Sequence, residues 1–354
     1  MTRTFLTAAN PGDYLEEVFV VSNKQLSTTQ TGKPFIKCFV GDRTRQVPAR
    51  MWNATQGMFN AMPEGGFLRL AGKIESYQEN LQFIIDRFWI IEDPSEIVLE
   101  HLMPYTTKDI PQMFERLTTL VRSVRNKHLL SLVNAYLNDQ PLMEKFRRSP
   151  AATTFHHSFI GGLLEHTLNM LEVADSICQH YPLISRDLVI AGVFLHDIAK
   201  TWELSCESAF AYTDGGHLVG HIVKGAIWVE LKAKEAEAAT GEAIPCALVD
   251  VMQHLILSHH GEPEYGAARV PASPEAILIH YIDNIDAKLT MSLGATRDPS
   301  NTGEGNFTEY QKALGVRLYR PNVAPADIDV EPVAKGAGGA SAQPVTETKR
   351  SMHT

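Results

Sequence analysis

The spacing of apolar residues changes once along this chain, near residue 108, and that change limits the fold more than any other feature. Upstream, apolar residues come in short runs broken by turn signals. Val18–Val21, Phe35–Val40, Gln46–Trp52, Phe67–Ile74 and Leu81–Ile91 read as five strands. Thr31-Gly32-Lys33-Pro34, Gly41-Asp42-Arg43, Pro63-Glu64-Gly65-Gly66 and Glu79-Asn80 mark turns. Ala54–Ala61, between the third and fourth strands, reads as one short helix. Downstream, Phe114, Leu117, Leu120, Val121 and Val124 recur at spacings of three and four. The helical pattern continues through Leu129–Leu137, Leu163–Cys178, Asp187–Ala199, Val219–Ala238, Ile244–Ser258 and Pro274–Leu293, punctuated by prolines.

The expected fold is therefore multidomain α+β. Strand–strand–strand–helix–strand–strand is the order of an OB-fold, a five-stranded β-barrel, here over 13–93. Residues 94–110 read as a linker, 111–320 as an all-α domain, and 321–354, rich in Pro, Ala, Gly, Ser and Thr, as a disordered tail. With 354 residues and 44% hydrophobic content, the chain has material for two cores and is not globally disordered. Residues 1–95 carry ten basic and ten acidic groups, so the net charge of −9 lies entirely downstream. No whole-chain basic field advertises nucleic acid. Cys38, Cys178, Cys206 and Cys246 stand far apart, which excludes a zinc ribbon or a C-x-x-C redox motif. No apolar run has the length of a signal peptide or a membrane span. The expectation is a reduced, cytoplasmic protein with no membrane partner.

Eleven of the fourteen histidines fall between His156 and His280. Five segments form an ordered series: Glu165-His166-Thr167, His196-Asp197, His221, His259-His260 and Asp283. His196 and Asp197 end an otherwise apolar run from Val189, where an ionised carboxylate is costly unless it meets a cation. Asp283 likewise sits inside an apolar helix. Imidazole nitrogens and carboxylate oxygens suit divalent Mn, Fe, Zn or Mg. His166, His196, Asp197 and Asp283 form one candidate site. His221, His259 and His260 form a second, with Asp197 as the bridge. Two such ions about 3.5–4 Å apart can activate water and clamp a phosphoryl group, so phosphate-ester hydrolysis is the leading chemistry. The bland alternatives are definite. His196–Asp197 could be a buried hydrogen-bonded pair, His166 a core histidine and Asp283 an ion-pair partner. His221 could only start a helix, and His259–His260 only cap one. His156, His157, His254 and His280 read as core or surface histidines.

At these motifs the chain resembles the HD-domain superfamily of metal-dependent phosphohydrolases. The stretches that carry the likeness are His156-His157-Ser158, Gly161-Gly162-Leu163-Leu164-Glu165-His166-Thr167, Leu195-His196-Asp197-Ile198-Ala199-Lys200, Gly220-His221-Ile222-Val223-Lys224-Gly225, Leu257-Ser258-His259-His260-Gly261 and Tyr281-Ile282-Asp283-Asn284. With the barrel added, the chain to about residue 320 resembles the YhaM type of 3′-to-5′ exoribonuclease. That resemblance implies one or two divalent ions, manganese in particular, single-stranded RNA or DNA as substrate, release of nucleoside 5′-monophosphates, and homo-oligomers. It implies His166, His196, Asp197 and Asp283 as core metal ligands, His221, His259 and His260 around a second ion, and Lys200 as a lysine facing the phosphate. Ala199 departs from the family's usual glycine before that lysine.

In an OB-fold, a strand is held by basic groups and stacking aromatics. Candidates are Lys24, Lys33, Lys37, Arg43, Arg45 and Arg50, with Phe35, Phe39 and Trp52 interleaved. Against this, so small a barrel needs Phe39, Trp52, Phe67, Phe83 and Phe88 for its own core. The alternative function is a phosphohydrolase of small nucleotides or cyclic dinucleotides with a regulatory barrel. A further alternative is a nucleic-acid-binding scaffold with a vestigial HD site.

Overall fold

A computed structural model describes residues 3–63, 66–77, 80–154, 157–206, 210–297 and 305–321. Strands β1 (Tyr14–Thr28), β2 (Pro34–Gly41), β3 (Gln46–Trp52), β4 (Gly66–Tyr77) and β5 (Asn80–Ile90) close a barrel in the order β1-β2-β3-β5-β4. Helix α1 (Gln56–Ala61) lies between β3 and β4, and the Thr55 hydroxyl caps it by accepting from the Met58 N–H. Glu64, Gly65 and Glu79 of the expected turns lie outside the described residues.

The pleat sorts the barrel's side chains. Ile36, Cys38 and Val40 of β2 point inward and join Phe19, Val21, Leu68, Leu70, Ile74 and Phe83 in the core. Phe67 and Phe88 are half-buried. Phe39 and Trp52, which the core and the stacking readings both claim, are 40% and 41% exposed. Both share the outward parity of Lys37 and Arg50, because Phe35 faces Trp52 and Lys37 faces Arg50 across β2 and β3.

The segment after the barrel is packed. It forms a single 3-10 turn, Pro94–Glu96, and helix α2 (Leu99–Leu102). Leu102 and Met103 are buried with Val18 of β1 and Ile160. Arg43 is used here: its backbone N–H donates to the His101 carbonyl at 3.0 Å, and its guanidinium lies 4.5 Å from the Phe5 ring centroid.

Helices α3 (Ile110–Arg122), α4 (Lys127–Leu137), α5 (Gln140–Arg148), α6 (Gly162–Cys178), α7 (Arg186–Leu195), α8 (Lys200–Glu203), α9 (Asp214–Thr240), α10 (Cys246–Ser258) and α11 (Pro274–Arg297) follow. Asp109, Asn126, Asp139, Ser185 and Thr213 cap helix N-termini with side-chain oxygens. α7 is buried from Val189 to Leu195, and Phe194 meets Tyr136 and Phe146 edge-on. Burial of each such side chain contributes about 1.5–3 kcal/mol. The scaffold around α7 is thus rigid where it delivers His196.

Three features depart from the expected helices. α7 stops at Leu195, and residues 196–199 form tight turns, with the Lys200 N–H donating to the Asp197 carbonyl at 2.9 Å. The helical region also carries a two-residue ribbon, β6 (Leu204–Ser205) with β7 (Ala211–Tyr212). A separate unit begins at Ala295, and its described residues hold the hairpin β8 (Phe307–Gln311) and β9 (Val316–Tyr319), where only helix was expected. Strands this short show no readable period. The expected disordered tail falls, from Asn322 on, outside the described residues.

Asp139 gives a stability test. Its carboxylate caps α5 through the Leu142 N–H and accepts from Lys232 of α9 at 2.8 Å. Burial raises its pKa, but these two donors outweigh burial and hold it below the ordinary value. A depressed folded-state pKa stabilises at pH above the unfolded value of about 3.9, and the contribution vanishes as pH falls through the folded value. Asp139→Asn keeps the cap and removes the charge, and is expected to cost under about 1 kcal/mol at pH 7. The cost fades toward pH 3. Asp139→Ala loses the cap as well, for about 1 kcal/mol more. Urea melts at both pH values read these differences.

Candidate metal centre and nucleic-acid face

Five helices and the turn after α7 bring the histidine and aspartate series together. His166 comes from the second turn of α6, His196 caps α7, and Asp197 sits in the turn that follows. His221 follows a kink in α9 at Gly220, whose φ of 74° and ψ of 160° are open essentially to glycine alone. His259 caps α10 with His260 beside it, and Asp283 projects from α11.

The carboxylate of Asp197 lies at the centre. Its Oδ2 is 3.3 Å from His196 Nε2, 3.6 Å from His166 Nε2 and 2.6 Å from Lys200 Nζ. Its Oδ1 is 3.3 Å from His221 Nε2 and 3.5 Å from His259 Nε2. His166 Nε2 is also 3.4 Å from Asp283 Oδ1 and 3.3 Å from His196 Nε2. The His260 ring centroid is 4.4 Å from that of His259 and 5.3 Å from that of His221. His166, His196, Asp197 and His259 are at most 2% exposed.

Each imidazole is oriented from behind. His196 Nδ1–H donates to Val193 O, His259 Nδ1–H to Ile256 O and His260 Nδ1–H to Tyr265 O, each at 2.7 Å. Glu203 holds His221 twice: Oε1 accepts its backbone N–H at 2.9 Å and Oε2 its Nδ1–H at 2.8 Å. These bonds fix the Nδ1–H tautomer and leave Nε2 lone pairs aimed inward, the arrangement of metal-ligating histidines. His221 Nε2, His259 Nε2 and Asp197 Oδ1 are buried without a hydrogen-bond partner. Buried polar atoms are rarely left so. This donor set fits a divalent cation.

Electrostatics agree. Burial pulls His221 and His259 below the ordinary imidazole value, and burial with the neighbouring His259 brings His260 down to about 4. Neutral imidazoles are the form that ligates metal. Burial would raise Asp197, but Lys200 and His196 hold it well below the carboxylate range. Burial would lower Lys200, and the Asp197 charge raises it instead. Burial would lower His166, yet its hydrogen bonds to Asp283 and Asp286 raise it. A cation among these oxygens competes with that proton.

The bland alternatives fare unevenly. His254 accepts the Ala272 N–H at 2.9 Å, and His280 Nδ1–H donates to the His259 carbonyl at 2.9 Å, so both brace backbone. His156 lies outside the described residues. His157, Asp286 and Glu203 are close to the centre, and residue spacing alone did not single them out. Asp286, three residues after Asp283 on α11, offered the one readable signal.

On the barrel, Lys37 and Arg50 stand directly opposite each other on the outer face, and neither makes an ion pair among the described residues. Like charges so placed destabilise a sheet unless something anionic meets them. The Arg50 guanidinium lies 5.5 Å from the Trp52 ring and 5.3 Å from the Tyr77 ring, and Phe35 and Trp52 pack with centroids 5.1 Å apart. Arg45 and Arg50 line a cleft of about 310 Å³ with Gln46, Tyr77 and Gln82. Lys33 is exposed at the β1–β2 turn. Two candidates are engaged elsewhere. Arg43 braces the segment after the barrel, and Lys24 donates to the Phe59 and Met62 carbonyls at the end of α1.

The HD domain family model matches residues 163–288. The 3′-5′ exoribonuclease YhaM of Geobacillus sp. (strain WCH70) is 31% identical over 313 residues, covering 88% of this chain and 93% of the relative. Among solved structures, the second OB-fold domain of replication protein A from Methanococcus maripaludis is 18% identical, covers 25% of this chain and 95% of that one, and has a TM-score of 0.20. An SSB domain from Synechococcus sp. is 17% identical, covers 23% and 97%, and has a TM-score of 0.20. The strand order, not these two likenesses, carries the OB assignment. No helix among the described residues is long and apolar enough to cross a membrane. With a relative this similar along nearly its whole length, and an HD domain placed after a five-stranded barrel, the chain belongs to the YhaM family of HD-domain 3′-5′ exoribonucleases.

Proposed function

We propose that the protein is a metal-dependent 3′-to-5′ exonuclease acting on single-stranded RNA, and on DNA to some extent, that releases nucleoside 5′-monophosphates. The observation that carries this reading is the Asp197 carboxylate, with one oxygen toward His166 and His196 and the other toward His221 and His259. His166, His196, Asp197 and Asp283 would hold one divalent ion. His221, His259 and His260, with the second Asp197 oxygen, would hold another. When bound, such ions supply Lewis acidity toward the phosphate and an activated water. Manganese is the ion that the family resemblance implies, and the imidazole and carboxylate donors are compatible with it.

The chain's own residues do the rest. Burial keeps His221, His259 and His260 neutral, and the Nδ1 hydrogen bonds aim the rings inward. Lys200, held cationic by Asp197, places fixed positive charge beside the scissile phosphate. Lys37, Arg50, Trp52, Lys33 and Arg45 capture the strand by charge and stacking, so that its 3′ end reaches the helical region. The matching 3′-5′ exoribonuclease and the HD match support this direction and chemistry.

Single-stranded RNA labelled at either end, incubated with Mn²⁺, tests the reading. A 3′ label is expected to leave first as a 5′-mononucleotide, while a 5′ label runs down a ladder. Turnover of mononucleotides or cyclic dinucleotides with none on the polymer would instead make it a small-nucleotide phosphohydrolase. For the barrel, Trp52→Ala is expected to raise KM on long RNA roughly 5- to 150-fold, the equivalent of about 1–3 kcal/mol per stacked base, with little change on dinucleotides. Lys37→Ala should flatten the log–log salt dependence of binding by about 0.7. Unchanged KM and slope would move the strand-binding surface off this face.

A further inference from the structure

We propose that Asp286 and His157 are positioning residues for the metal centre: together they fix the tautomer and direction of His166. This rests on the proposed reading of the centre as a metal site. Asp283 and Asp286 lie one helical turn apart on one face of α11, so their carboxylates reach the two nitrogens of the same imidazole ring. Asp283 Oδ1 lies 3.4 Å from His166 Nε2, on the ligand side. Asp286 Oδ2 accepts the His166 Nδ1–H at 2.7 Å, on the far side. The same oxygen accepts the His157 Nε2–H at 2.9 Å, and its Oδ1 accepts from Asn169 Nδ2 at 3.1 Å. Asp286 is thereby fixed from three directions, and the ring it holds is fully buried.

The backbone at His157 shows what this arrangement requires. His157 has φ of 52°, a left-handed conformation that costs a non-glycine residue about 1–3 kcal/mol. Its carbonyl accepts the Ala151 and Phe159 N–H groups at 3.1 and 2.9 Å, and it lies against Gly162, where any Cβ would overlap it. His157 is thus held in a strained backbone conformation, and its buried imidazole meets Asp286. His196, His259 and His260 are oriented by carbonyls and His221 by Glu203, whereas His166 alone relies on a carboxylate that is itself held by a second histidine. The 2.7 and 2.9 Å separations are hydrogen-bond lengths, and the Mn²⁺ stoichiometry distinguishes this support from a third ion held by His157, His166 and Asp286.

Outer partners of metal-ligating histidines typically govern affinity by about 10–100-fold. The test is Mn²⁺ titration of metal-stripped full-length protein, with free Mn²⁺ read by electron paramagnetic resonance and folding checked by circular dichroism. Asp286→Ala and His157→Ala are expected to weaken binding of one ion by about 10–100-fold with stoichiometry unchanged. His157→Gln, which keeps an N–H donor, should recover much of the loss; a purely packing role would not be rescued by the donor. If Asp286→Ala is unfolded, Asp286→Asn and His157→Gln carry the comparison. Mn²⁺ affinity equal to wild type in folded variants overturns the inference and leaves the metal centre standing. Loss of a whole equivalent of Mn²⁺, with the remaining affinity intact, makes the trio ligands and also overturns it. Wild-type protein that binds no Mn²⁺ removes the centre itself.

Discussion

Asp197→Asn is expected to lower exonuclease turnover roughly 10³-fold or more, the scale of removing one member of a catalytic unit. The carboxamide has nearly the same shape, but it offers one neutral acceptor oxygen where the carboxylate has two anionic ones. In the native chain those oxygens face two different sets of imidazoles, at 3.3–3.6 Å, and Lys200 at 2.6 Å. The substituted side chain could face only one set. The variant also leaves the Lys200 ammonium buried without its counterion, so part of its effect could be instability. Thermal melts of Asp197→Asn separate the two: protein that is still folded at the assay temperature and stays inactive has lost the chemistry and not the fold. Turnover within about tenfold of wild type in folded Asp197→Asn would remove this carboxylate from the chemistry.

Stripping divalent ions with a chelator is expected to abolish turnover, and Mn²⁺ to restore it. Stability should move in parallel. The centre buries Asp197 Oδ1, His221 Nε2 and His259 Nε2 without hydrogen-bond partners, an arrangement that a cation relieves. A ligand at a hundred times its Kd stabilises by about 2.7 kcal/mol. For a chain of 354 residues that is roughly 3–4 °C in Tm. Calorimetry of stripped and Mn²⁺-loaded protein reads it directly. Activity that survives exhaustive chelation would contradict the metal reading.

Outside the centre, burial was legible where a residue's parity or helical phase settled it. The run Val189–Leu195 reads as buried on all sides and is so, because no polar stripe gives it a solvent face. Phe39 and Trp52 read both as stacking candidates and, by size, as core. Their exposure follows from strand register, in which each shares a face with a basic residue. Arg43 reads as a phosphate binder by charge, yet the packed segment after the barrel takes it up.

The order of strands and the helix between them were fixed by local pattern: period-two burial and turn residues act over a few positions, so the barrel could be read directly from the chain. The ordered histidines and aspartates were visible for a similar reason, since polar residues in apolar helices are expensive and stand out. Which oxygen of Asp197 faces His166, His221 and His259, and how Glu203, Asp286 and His157 orient the rings, depend on contacts between residues 18 to 129 positions apart. Such contacts exist only once distant helices pack, and no local spacing encodes them.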